Sequence, residues 1–150
     1  MTTAPAAAPN GKKLDLDQIF STSKRLETEG AWHELGEGAA LKVARLNNPA
    51  YQQLERTLRR RELARIKSGT LDEATQLRIT IECIAHTVLL DWRGVELGGE
   101  PLPAYTPEEG IKAMTDTETI SRAGFRNFVV SLAADADRFK LEHDEDLRKN

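Results

Sequence analysis

The stretch from Glu29 to Pro49 most narrows what this chain can become. Trp32 and Leu35 are separated by polar residues, Gly36-Glu37-Gly38 supplies the positive φ of a tight reversal, and Leu41, Val43 and Arg45 resume the alternation, so the segment reads as a β-hairpin. An isolated hairpin is marginal in water, so helices must cover it and bury Trp32, Leu41 and Val43. They are expected at once. Asn48 is a good N-cap, and Pro49 a good first helical residue, because its missing amide hydrogen would have no partner there.

Tyr51, Leu54 and Leu58 keep helical spacing after Pro49, while Leu63 and Ile66 drift to another side of the wheel. This predicts a kink or a repacking near Arg59 to Arg61, with Ser68-Gly69 as the terminus. Thr70 with Glu73 forms a capping box for a second helix, the central one, carrying Leu71, Ala74, Leu77, Ile81, Ile84, Ala85, Val88 and Leu89. Ile79, Cys83 and Leu90 widen its apolar stripe, for burial on several sides or for contact with another subunit. Asp91 to Tyr105 reads as a short strand, a turn at Gly98-Gly99, and an edge return bounded by Pro101 and Pro103. Thr106-Pro107-Glu108-Glu109 then starts a short helix with Ile111 and Met114. Asp116 or Thr117 caps the last helix, where Phe125, Phe128, Val129, Leu132, Ala133, Ala136 and Phe139 share one wide arc. The expected fold class is α+β, mainly α, with four or so helices and two small strand pairs.

With 150 residues, one domain with a real core is expected, spanning residues 19–141. Residues 1–18 form an Ala/Pro-rich zone with too little apolar surface to offset its ordering entropy, a flexible arm whose Leu16, Ile19 and Phe20 dock on the domain or on a partner, the domain being preferred. Residues 142–150 are a charged tail expected to fray. A net charge of −3 gives no chain-wide attraction to nucleic acid or anionic membrane. Cys83 is the single cysteine, which removes any intrachain disulfide or multi-cysteine metal cage and fits a reducing compartment. No apolar run approaches the eighteen or so residues of a membrane span, and the first ten residues lack the pattern of a secretory signal.

No catalytic set emerges. His33, His86 and His143 are scattered without carboxylate or histidine partners at ligand spacing; His33 reads as an exposed strand residue and His86 as a helix residue beside the core stripe. No cofactor or metal is implied, and Gly36-Glu37-Gly38 and Gly98-Gly99 are too short to cradle phosphates. Arg56, Arg59, Arg60, Arg61, Arg65 and Lys67 make the strongest electrostatic feature. They surround their helix without interleaved aromatics, so a protein-facing or solvated surface outweighs a nucleic-acid contact. The second functional reading is nonetheless a nucleic-acid-associated regulatory protein using the segment Arg56 to Lys67. Trp32 and Trp92 sit at the two strand pairs, closing core edges or anchoring a partner.

Several pieces then occur together: Glu29-Gly30-Ala31-Trp32, Gly36-x-Gly38-Ala39, Lys42-Val43-Ala44-Arg45, Asn48-Pro49, Val88-Leu89-Leu90-Asp91-Trp92, and Glu100 through Thr106. In this order, from about Leu26 onward, the chain resembles tail assembly chaperones of long-tailed, siphovirus-type bacteriophages. The resemblance implies a non-catalytic protein of the host cytoplasm, absent from the mature virion. It implies binding to the tape measure protein and to the tail tube protein, with self-association. It carries no agreed site residues. The partner-binding candidates, drawn from the residues themselves, are Trp32, Arg59, Arg60, Arg61, Ile79, Cys83, Leu90 and Trp92.

Overall fold

The computed structural model describes residues 13–140. Most of the N-terminal arm and the whole segment 142–150 lie outside the described residues, so their expected behaviour stands as a reading of the sequence. Six α-helices and five strands are present among the described residues, an α+β and mainly α architecture. In chain order come α1 (Leu16–Phe20), α2 (Lys24–Glu29), β1 (Ala31–Gly36), β2 (Ala39–Val43), α3 (Pro49–Leu63), α4 (Glu73–Thr87), β3 (Leu89–Arg93), β4 (Glu96–Leu97), β5 (Glu100–Pro101), α5 (Pro107–Met114) and α6 (Ala123–Ala134). A 3-10 turn, Ala136–Phe139, follows α6.

The hairpin forms as its sequence predicts, turning through Glu37 and Gly38, both at positive φ. Its partner is where the expectation needs revision. The segment beginning at Leu89 pairs antiparallel with β2, giving one three-stranded sheet in the order β1-β2-β3, and only the two-residue strands β4 and β5 form a separate ribbon. Apolar runs at the end of a helix do not reveal where the chain changes period. Val88 caps α4 and its carbonyl accepts from the Ala44 amide at 2.7 Å, so Leu89 and Leu90 belong to the sheet and not to the helix. Where Gly94 leaves β3, an added Cβ would lie 2.6 Å from the Gly38 carbonyl oxygen, so only glycine allows that strand end to close against the hairpin turn.

Strand alternation puts Ala31, His33, Leu41, Val43, Leu89 and Trp92 on the inner face. Trp32 falls on the outer face and stays 38% exposed, so the helices bury Leu41 and Val43 but not Trp32. α4 is the central helix: Ile79, Ile81, Cys83, Ile84 and Ala85 are all buried, with the sheet, α3 and α5 packed around it. Each of these isoleucines removed from water stabilises the fold by about 1.5–3 kcal/mol.

The helix starts follow physical rules, with two shifts from the sequence reading. Asn48 Oδ1 accepts from the Tyr51 amide at 3.0 Å and Thr106 Oγ1 from the Glu109 amide at 3.2 Å, as expected. For α4, Asp72 takes the capping role from Thr70, accepting from the Thr75 amide at 2.7 Å, because a carboxylate bonds and complements the helix dipole at once. Asp116 does not cap α6 locally. It reaches across the turn to accept from the Arg122 amide at 2.5 Å and from the Arg126 guanidinium at 2.9 Å, pinning the start of the helix from outside.

α3 stops at Leu63, short of Ser68-Gly69. Leu58 is its last buried residue; beyond it Leu63 is exposed, so the final turns have no packed face to extend. α6 is also shorter than its apolar arc. The chain breaks at Asp135, and Phe139 swings into a separate cluster with Leu26 and Ala31, while Phe128 and Ala136 remain exposed. α1 forms without fully burying any residue: Leu16 and Phe20 are exposed and Ile19 is half-buried, so Leu16 and Phe20 do not pin it to the domain.

Candidate functional site

The residues singled out from sequence do not converge. Ile79 and Cys83 point into the core from α4. Burial pushes the Cys83 thiol up to about 11, so it is a packed apolar group with almost no thiolate at neutral pH. Leu90 is the extra residue of a β-bulge between the pairs Lys42 with Asp91 and Val43 with Leu89. It leans on Gly30, where an added Cβ would come within 2.9 Å of its Cδ1. The widened stripe of Ile79, Cys83 and Leu90 is therefore internal packing, shared between a helix and a bulged strand, and not a subunit face.

Trp92 closes the core edge. Its Nε1 donates to the Pro103 carbonyl at 2.8 Å, and its ring meets Tyr105 edge-on with centroids 4.7 Å apart. The Tyr105 hydroxyl donates in turn to the Ala85 carbonyl at 2.6 Å, so the proline-bounded return is latched to α4 through two aromatic residues. Trp32 is the opposite case, exposed on the outer sheet face with the Arg93 guanidinium 4.7 Å over its ring and Glu34 paired to that same arginine. This stack is worth about 0.5–1 kcal/mol at an exposed site.

Arg59, Arg60 and Arg61 are exposed, with no ion pair among the described residues. At about 100° per residue, Arg56, Arg59 and Arg60 share one side of α3 with the exposed Leu63, a short basic stripe, whereas Arg61 points elsewhere. Glu62 takes Arg78 of α4 at 2.9 Å, and this pairing holds its carboxyl below the usual range.

His33 is the residue the sequence reading placed wrongly. It is 5% exposed on the inner face of β1, and its Nδ1 lies 2.9 Å from Arg138 Nη1, which donates to it. Burial, reinforced by the adjacent Arg138 charge, lowers its pKa to about 4, with Asp135 opposing. A histidine beside Trp32 looks exposed until the alternation is anchored on Leu41, its partner across the hairpin. That register would have found it.

What the tertiary structure assembles instead is an open apolar groove of about 320 Å³ at the turn end of the sheet, between β1, the β4–β5 ribbon and α6. Leu35, Leu97, Leu102 and Phe125 line it, with Glu96 and Arg122 at its polar margin. Leu35 is 41% exposed, and Arg122 has no ion pair among the described residues while its Nε is buried without a hydrogen-bond partner. The groove can receive apolar side chains and a carboxylate; the residues that line it include one carboxylate, Glu96, and no histidine, serine or cysteine. Among the described residues no group of three or more His, Cys, Asp or Glu side chains could hold a metal ion. No helix among them is long and apolar enough to cross a membrane.

These features define a mainly helical α+β protein with an open apolar groove that carries a charged margin. The family described as YdaY prophage protein matches residues 46–150, and the chain belongs to that family. It is thus phage-derived, as the resemblance to tail proteins implies, but the family's description names no tail function. The matched span begins at the entry to α3, so β1 and most of the hairpin signature lie outside it. No curated protein and no solved structure matches the chain.

Proposed function

We propose that the protein is a tail assembly chaperone that binds the tape measure protein of its phage, and the tail tube protein, during assembly. It acts by binding alone, without catalysis, in the host cytoplasm, and is left out of the finished virion. The observation that carries this reading is the open groove of Leu35, Leu97, Leu102 and Phe125. A tape measure protein is a long helical chain that exposes apolar stripes until the tube encloses it, and a concave apolar surface with a charged margin is the complement of such a stripe. The phage origin of the family and the resemblance of the Leu-Leu-Asp-Trp and proline-bounded segments support the same reading.

The nucleic-acid alternative gains only the short stripe of Arg56, Arg59 and Arg60, without an aromatic platform and on an acidic chain, and we do not adopt it. Co-expression with the phage's tape measure protein tests the chaperone reading. The client should move from the pellet to the soluble fraction and co-purify, and Leu97→Asp in the groove should weaken that capture by tenfold or more. Client solubility that is the same with and without the protein would overturn it.

A further inference from the structure

Two apolar features at different ends of the molecule are both left uncovered. The first is α1, where Leu16, Ile19 and Phe20 fall on one face at i, i+3 and i+4, with Leu16 61% and Phe20 59% exposed. The second is the groove. Their charges are complementary as well: Asp15 and Asp17 flank the apolar face of α1, and the guanidinium of Arg122 at the groove has no ion pair among the described residues. Glu96 on the same margin repels the acidic side of α1 and so orients it toward Arg122.

No residue of α1 lines the groove of its own chain. The helix is tied down at Thr22, which bridges to Lys140, and at Ser23, whose amide donates to the Phe139 carbonyl in the cluster that contains Ala31. Phe20 is two residues from that tether, a reach of about 7 Å at most. Leu35 lies at the other end of β1 from Ala31, about 13 Å further along the strand. A second copy can present its α1 to the groove without straining that tether.

We propose that α1 of one copy docks in the groove of a second, with Leu16 and Phe20 against Leu97 and Phe125 and the acidic side of α1 at Arg122. The contact is heterologous, leaving a free groove at one end of the pair and a free α1 at the other, so further copies add head to tail. It deepens the chaperone reading by naming what fills the groove before a client arrives. Client binding and self-association then compete for one surface.

The test is sedimentation of the full chain over a concentration series, alongside two variants that each lose one side of the contact. Leu16→Asp with Phe20→Asp removes the docking face; Leu35→Asp with Arg122→Glu removes its receptor. Leu16, Phe20 and Leu35 are exposed, so unchanged melting temperatures should verify that both variants fold. The parent chain should form a concentration-dependent series, each variant alone should sediment as a single chain, and an equal mixture should give a dimer and nothing larger. A parent that stays monomeric throughout, or a mixture that stays monomeric while the parent assembles, would overturn the proposal. Its failure separates from that of the client reading: a monomeric parent that still solubilises the tape measure protein sinks only the docking of α1, and an assembling chain that leaves the client insoluble sinks only the client.

Discussion

His33 carries a charge-state decision into the interior. Its Nδ1 accepts from Arg138, which requires the neutral ring with the proton on Nε2, and protonation would place two cations in contact inside the protein. Its pKa therefore falls from 6.5 to about 4 on folding. Between these values the unfolded chain binds more protons than the folded one, so stability is full above pH 6.5 and is lost as the pH falls toward 4. The difference corresponds to about 3 kcal/mol. Urea unfolding of the parent should show that loss over this window, and His33→Leu should flatten the profile there while leaving any carboxylate-driven loss at lower pH. An unchanged slope in the variant would place the titration elsewhere.

Asn48 joins three elements. Its Oδ1 caps α3, and its Nδ2 donates to the Arg45 carbonyl at 2.8 Å and to the Thr87 carbonyl at 2.9 Å at the end of α4. The side chain is buried, so removing it strands the Thr87 carbonyl besides deleting the cap on the Tyr51 amide, while the Arg45 carbonyl keeps its bond from the backbone amide of residue 48. Asn48→Ala should cost about 2–4 kcal/mol, against about 1 for an exposed cap. Asn48→Asp keeps the cap but sets a buried carboxylate oxygen against both carbonyls, and should lower the denaturant midpoint at least as far as the alanine variant. The cap was legible in the sequence because N-capping is local chemistry. The bonds to α4 were not, since Thr87 is brought to Asn48 only by packing. The same distinction explains β3: the strand-forming character of Asp91-Trp92 was readable, whereas its pairing with β2 depended on the path of α4.

At the scale of the molecule there are two apolar cores of unequal size. The larger runs from Leu41 through α4 to Val129, and the smaller holds Leu26, Ala31 and Phe139. The small one ties α2 to the 3-10 turn, while the ion pair between Arg45 and Glu27 at 3.0 Å ties α2 to the segment that follows β2. Phe139→Ala should therefore open locally before it unfolds globally, at a cost of about 3–5 kcal/mol to that unit. Amide exchange should accelerate across Lys24 to Ala31 while α4 keeps its protection. Uniform acceleration would mean that the two cores melt together. The groove is likewise a property of this scale. Leu35, Leu97 and Phe125 come from three separate elements, and no spacing along the chain announces that they meet.

Local sequence is enough for several elements: the reversal at Glu37-Gly38, the start of α3 at Asn48-Pro49, the start of α5 at Thr106-Pro107, and α4 as the central helix. Each rests on backbone preference, capping or periodicity among residues only a few positions apart. Tertiary structure decided which face of β1 turned inward, burying His33 and exposing Trp32, and it gave the third strand its partner. It also left α1 uncovered and built the apolar groove. Those outcomes depend on which surfaces compete successfully for burial, a quantity fixed by the whole set of neighbours and not by any residue alone.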